Sequence, residues 1–347
     1  MSDSKRILAI DAGAGTQDIL LYESGKTVEN CVKMVLPSQT TIVAGRVRQA
    51  TARGEAVFLA GNLMGGGPCV SALKKHLRAG LAVYATPLAA KTIRDDPREV
   101  EALGVRIVEE APSEALTIRT GDIDLAALGR ALALFDVELP QRYAIAVQDH
   151  GETLEGSQRR FRFQQWERFV EQGGDIIKLA YLEVPPHLTR MKAVQTDVPG
   201  AMLMDTGSAA IWGALCDDAV AAHQEDGLIV VNVGNQHTIG FLLRGERVWG
   251  LFEHHTVLMN PDKLAAYLDS LREGTLTNDE VYGDNGHGAY VHPDYPGDGS
   301  FRFVAVTGPN RGMAAGLGYY MAAPHGDMMM AGAFGLVAAA RRLGLVE

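Results

Sequence analysis

Near the start of the chain an acidic residue, two glycines and a threonine fall within one short stretch: Asp11, Gly13, Gly15 and Thr16 in Ile7-Leu-Ala-Ile-Asp11-Ala-Gly13-Ala-Gly15-Thr16. Glycines can take positive φ and carry no Cβ, so successive backbone N–H groups could converge on an anion there, and the threonine hydroxyl adds a donor. A carboxylate at the strand end beside a bound phosphate is placed to hold Mg²⁺ through water, because that ion keeps most of its hydration shell. A glycine-rich link between apolar strands also suits a plain hairpin. The second constellation is rich in histidine: Glu253-His254-His255, and His287 in the Gly-Asp-Asn-Gly-His-Gly loop. Imidazole and carboxylate together suit Zn²⁺, Mn²⁺ or Fe²⁺. Such a site would use Glu253, one of His254 and His255, and His287, with His150 or Asp149 as a further ligand. Neighbouring strand residues point to opposite faces, so His254 and His255 cannot both enter one site without a bend. The plainer reading makes these histidines hydrogen-bonded loop residues or substrate contacts.

These residues need elements to position them. Asp11 ends one apolar strand and Thr16 opens another, which runs to Tyr22. Tyr143-Ala-Ile-Ala-Val reads as a buried strand ending in Gln148, Asp149 and His150, and Ser157 starts a helix-like run. Between them the pattern is helical over 41–53 and 68–79, a short strand at 81–85, and acidic helical stretches near 97–103 and 123–135. Gly65 to Gly67 read as a flexible surface loop, with a lid turn or anion nest as the alternative.

Composition excludes several function classes. With 347 residues, 47% of them hydrophobic, the chain can bury a large core and form two domains. A net charge of -10 offers no electrostatic footprint for DNA or RNA. The opening Met1-Ser-Asp-Ser-Lys-Arg is polar, and the apolar run after it stops at Asp11, too short for a signal peptide or membrane span. Cys31, Cys69 and Cys216 are isolated, which suits a reducing, cytoplasmic setting.

The 11–16 motif resembles the first phosphate loop of the actin, Hsp70 and sugar-kinase superfamily. That resemblance implies an α/β fold: two RNase H-like (actin-like ATPase) domains flanking a nucleotide cleft. It also implies a second hairpin, and Leu228-Ile-Val-Val-Asn232-Val-Gly234-Asn235-Gln-His-Thr238 is similar to it, with Asn232 where Asp11 stands. Asn232, Gly234, Asn235 and Thr238 then become nucleotide contacts. The strand at 143–147 resembles the first connecting segment. Ala201-Met-Leu-Met-Asp205-Thr-Gly-Ser-Ala-Ala resembles the strand, acidic residue and small-residue helix that precede the second loop, where small residues let helices cross closely. Phe301 to Arg311 resembles the strand and turn bordering adenosine, which places Gly308 and Asn310 beside the nucleotide. The first domain should cover 1–222, with insertions at about 36–125 and 175–200. The second should cover 223–325, and 326–347 should form a C-terminal helix near the hinge. More narrowly, the segments around His150, His254, His287 and His325 resemble a bacterial and archaeal family labelled a pyruvate formate-lyase activating enzyme. Activases of that kind need three clustered cysteines for an iron–sulfur centre, and here the three lie far apart in sequence.

The resulting expectation is ATP and Mg²⁺ chemistry at an interdomain cleft, with a small-molecule kinase as the leading form. Asp149 would take the acceptor proton, Gln148 would orient the nucleophile, and Asp11 and Asp205 would hold the Mg²⁺ water shell. Asp205 could instead cap the following helix. An ATP-driven switch acting on a partner protein, and a non-catalytic or metal-dependent protein on the same fold, are the alternatives. Neither nucleic acid nor membrane is expected as a partner, and a homodimer is compatible with the pattern.

Overall fold

The computed structural model describes residues 5–153 and 156–347, so the polar opening segment 1–4 lies outside the described residues. The opening hairpin is β1 (Arg6–Ala12) and β2 (Thr16–Glu23), with β3 (Val32–Pro37) beside it. Then come α1 (Gln39–Arg53), β4 (Ala56–Gly61), α2 (Gly67–Arg78), β5 (Val83–Ala85), α3 (Pro87–Ala90), α4 (Pro97–Ala102), β6 (Val105–Ile107), β7 (Ala115–Thr120) and α5 (Leu125–Ala133). The chain returns through β8 (Tyr143–Val147), α6 (Gln158–Glu171), α7 (Thr189–Asp197), β9 (Met202–Met204), α8 (Thr206–Ala214) and α9 (Asp218–Ala221). The second half holds β10 (Leu228–Val233), β11 (His237–Arg244), β12 (Arg247–His255), α10 (Pro261–Glu273), α11 (Asn278–Gly283), β13 (Gly288–Val291), β14 (Phe303–Thr307), β15 (Tyr320–Met321) and α12 (Ala331–Arg342).

Two sheets carry the architecture. The first has the order β3-β2-β1-β8-β9, and the second the order β13-β12-β11-β10-β14-β15. In each, three antiparallel strands continue into parallel ones across the first strand of the hairpin. The second sheet therefore repeats the first, with β13 added outside β12. This is an α/β fold in which two sheets of RNase H-like strand order face a cleft.

Burial explains why the central strands lack polar alternation. Ile7, Leu8, Ala9 and Ile10 are all fully buried, Ile7 and Ala9 in one core and Leu8 and Ile10 in another. Helices cover both faces, so the run can be apolar throughout. The core containing Ile7 is shared between the sheets through α6, α8 and α12. There α8 and α12 cross at bare backbone: a Cβ on Gly213 would lie 1.7 Å from Ala331 O, and one on Gly335 would lie 1.9 Å from Ala209 O. Only glycine permits that approach.

The insertion after β3 is a folded layer of its own. Its four strands are parallel, in the order β6-β5-β4-β7, over a separate core that includes Val47, Leu59, Leu73 and Ile118. The helices expected at 41–53 and 68–79 are α1 and α2, but β4, β6 and β7 had no counterpart in the sequence reading. Gly65 to Gly67 also differ from the expected flexible loop. Gly65 N donates to Asp122 Oδ1 at 3.1 Å, and a Cβ on Gly66 would lie 2.6 Å from Thr92 O. Close packing thus holds this turn as it leads into α2. Among the described residues no helix is long and apolar enough to cross a membrane.

Candidate functional site

The two glycine turns open on one cavity of about 500 Å³ between the sheets. Its lining includes Asp11, Gly13, Thr16 and Asp18 from the first hairpin, and Asn232, Gly234, Asn235 and His237 from the second. In each turn one N–H closes the hairpin: Gly13 N donates to Thr16 O and Gly234 N to His237 O, both at 2.9 Å. The N–H groups of Ala14, Gly15, Asn235 and Gln236 find no protein acceptor among the described residues. They are the donors left for an anion. The expected positive φ is absent, since neither Gly13, Gly15 nor Gly234 has it. Space is the reason for glycine at 234, where a Cβ would lie 2.8 Å from His237 O.

Below the first turn two carboxylates face each other, because Asp11 on β1 pairs with Asp18 on β2. Both are buried, and Oδ1 of each has no partner among the described residues. Burial, followed by the charge of Asp18, pushes Asp11 well above the usual carboxylate range. Burial likewise pushes Asp18 up to about 7. Gly332 of α12 makes room for the pair, since a Cβ there would lie 1.8 Å from Asp11 Oδ2. Two desolvated carboxylates with unused oxygens form a donor set for a hard cation such as Mg²⁺. The sequence reading named Asp11 but missed Asp18, which only the hairpin register could have supplied.

A buried ion cluster joins the two halves at the floor of the cleft. Arg162 of α6 donates through Nε to Glu253 Oε2 at 2.7 Å, and through Nη1 to Asp205 Oδ2 at 2.9 Å and to the Asp149 carbonyl at 2.6 Å. Trp166 Nε1 also donates to Glu253 Oε2, at 3.2 Å. Burial alone would raise Glu253, but Arg162 holds it well below the usual range. Asp205 caps α8 by accepting from Gly207 N at 2.9 Å. Asp149 accepts from Gly151 N at 2.8 Å and from Met191 N at 2.9 Å, one bond to each oxygen. Burial raises its carboxyl against those bonds. Both expected catalytic aspartates line the cavity while already holding backbone in place.

The histidines separate as strand geometry requires. His254 is buried on the outer side, 3.1 Å from Asp284 Oδ2 and close to the Tyr267 ring. His255 turns the other way, its ring 5.0 Å from His237 and 4.9 Å from His287. Glu253 is taken up by Arg162, Trp166 and the Gln148 amide, which donates to Glu253 Oε1 at 3.1 Å. The group that converges is His150, His237 and His287, with one ligand atom from each lying within 4.8 Å of the others. His237 was not among the residues singled out from sequence. Burial lowers His150 well below its usual value, His237 to about 4 and His287 to about 3, so all three rings are neutral at pH 7.

A family profile described as "Putative pyruvate format-lyase activating enzyme (DUF1786)" matches residues 64–313. The chain belongs to that family. None of the curated proteins compared with it matches. Among solved structures it is similar to a ROK family glucokinase from Streptomyces griseus in complex with glucose and AMPPNP, at 11% identity and a TM-score of 0.33, covering 97% of this chain and 99% of that one. It is also similar to a PPX-GPPA enzyme of Aquifex aeolicus, at 12% identity and a TM-score of 0.29, covering 88% and 68%. For the ROK hexokinase from Thermus thermophilus the values are 11% and 0.24, covering 70% of this chain. The chain spans 47% of that hexokinase.

This family member places its cysteines apart. Cys31 lies in the core between the sheets, Cys69 in the core of the insertion, and Cys216 just beyond α8. Burial pushes Cys69 up to about 12 and Cys216 up to about 11, which leaves both as thiols. Of the expected nucleotide contacts, Thr238 does not face the cleft: it is fully buried, with Oγ1 3.0 Å from Thr256 Oγ1. Side chains alternate along β11, so His237 takes the cleft side and Thr238 the core side. Gly308 has φ +96° and packs against Asn232 and Val233. Asn310, exposed at the rim, donates to Gly234 O at 2.9 Å and braces the second turn.

Proposed function

We propose that the protein is a Mg²⁺- and ATP-dependent phosphotransferase that phosphorylates a small-molecule acceptor. One observation carries this reading: a single cavity is lined by two hairpin turns with free N–H donors and by Asp11 and Asp18, whose buried Oδ1 atoms lack partners among the described residues. In this reading the turns cradle the phosphates, and Mg²⁺ held by Asp11 and Asp18 offsets their charge. Adenosine lies along Gly308 and Pro309, and the acceptor lies towards Gln148 and His150. Phosphoryl transfer depends mainly on positioning and charge stabilisation. Asp149 and Asp205, with their oxygens already bonded, then act chiefly by holding the acceptor end rigid.

Calorimetry of the full chain with ATP and Mg²⁺ tests the proposal. Gly15→Val, whose side chain would press on Asn235 of the opposite turn, and Asp11→Asn, which removes a proposed cation ligand, should each weaken binding at least about tenfold, a loss of roughly 1.4 kcal/mol. Wild-type affinity in both folded variants refutes it. The family's description as an activating enzyme favours a second reading, an ATP-driven switch acting on a partner protein. ATP consumption stimulated by a small hydroxylated acceptor supports the kinase, and consumption stimulated only by a protein supports the switch.

A further inference from the structure

We infer that His150, His237 and His287 bind a divalent transition metal, Zn²⁺ in the first instance, at the acceptor end of the cleft. Their ligand nitrogens converge within 4.8 Å, although they come from chain segments far apart: the end of β8, the start of β11 and the loop before β13. Hydrogen bonding within the protein leaves these nitrogens unused. Both ring nitrogens of buried His287 lack a partner among the described residues, as does Nε2 of His237. An imidazole buried with neither nitrogen bonded is costly unless something else occupies it.

The surroundings of His237 orient it for a metal. Its Nδ1 lies 2.7 Å from Gln148 Oε1. The Gln148 amide is itself fixed, because its Nε2 donates to Glu253 Oε1. The Gln148 oxygen can only accept, so His237 carries its proton on Nδ1 and presents a lone pair on Nε2. A hydrogen-bonded outer partner that sets the tautomer of a ligating imidazole is a recurring feature of metal sites. His287 is held by its backbone, whose N–H donates to Glu253 O at 2.9 Å.

Three imidazoles without a bound carboxylate or thiolate suit Zn²⁺ in the open, three-ligand form that leaves one position for water or substrate. That position would face the cleft, since His150 and His237 line it. An oxygen of the acceptor is the ligand class it would take. Because His150 belongs to the first half and His237 and His287 to the second, the ion would also tie the halves together. The metal site stands independently of nucleotide binding.

The full chain, stripped with chelator and dialysed against Zn²⁺, should take up one ion per chain and gain thermal stability. Co²⁺ in its place should give visible d–d absorption from a four- or five-coordinate site. His287→Ala and His150→Ala should each bind Zn²⁺ at least about tenfold more weakly, as should Gln148→Leu, which touches no metal but releases the His237 tautomer. His150 is half-buried, so His150→Ala decides the matter if His287→Ala does not fold. A wild-type protein that takes up well under one Zn²⁺ per chain, or a folded His150→Ala that holds Zn²⁺ as tightly as wild type, overturns the inference. Unchanged ATP affinity in these variants separates this result from any failure of the nucleotide reading.

Discussion

Replacing Arg162 by methionine tests whether the cluster at the cleft floor works as paired charges. The guanidinium is buried against Glu253 and Asp205, which are themselves buried. Methionine keeps the packing but leaves two carboxylates without their cation, and breaking a buried pair in this way costs about 3–5 kcal/mol. At roughly 2.1 cal/mol/K per residue, unfolding the 347-residue chain changes entropy by about 0.7 kcal/mol/K, so the melting temperature should fall by about 4–7 °C. The pH dependence separates charge from packing. In the wild type Glu253 lies well below its ordinary 4.5, so its contribution is present above that value and is lost as pH falls towards its lowered folded value. Without Arg162, burial should raise Glu253 above 4.5, so the folded variant takes up a proton and regains stability as pH falls from 7 towards 5. The gap between wild type and Arg162→Met should therefore narrow on acidification, as read by thermal and urea unfolding. A gap under about 1 kcal/mol at pH 7, or one of constant size between pH 7 and 5, refutes the reasoning.

Three further outcomes are expected. Gly335→Ala, whose Cβ would meet Ala209 O, should push α8 and α12 apart and cost about 1–3 kcal/mol in urea unfolding. Asp149→Asn replaces one acceptor by an NH₂ group facing a backbone donor, so any loss of turnover should come with about 1–3 kcal/mol of lost stability. A variant that is slow but as stable as wild type would return Asp149 to the role of general base. Thr238→Val should leave ATP affinity within about twofold of wild type by calorimetry, a difference of roughly 0.4 kcal/mol, because this side chain faces Thr256 and not the cleft.

What could be read from the chain alone was what depends on near neighbours. The two hairpins were legible because strand, turn and strand are contiguous, and their order along the chain implied a duplicated fold. Period-two alternation also separates His254 from His255 on the sequence alone. The same alternation, applied to His237 and Thr238, puts His237 and not Thr238 on the cleft side. Strands β4 and β7 were missed because six residues inside an insertion do not declare a parallel sheet; each needs the other as a partner. Tertiary structure decided the chemistry of the cleft. Asp18 joins Asp11 as a buried carboxylate facing the cleft only through their cross-strand register, and Glu253 is withdrawn from ligand duty by Arg162, 91 residues away. His150, His237 and His287 share no spacing that a sequence could display. Their convergence follows from packing two separately wound sheets against one another, and the desolvation that keeps those rings neutral exists only once that packing is complete.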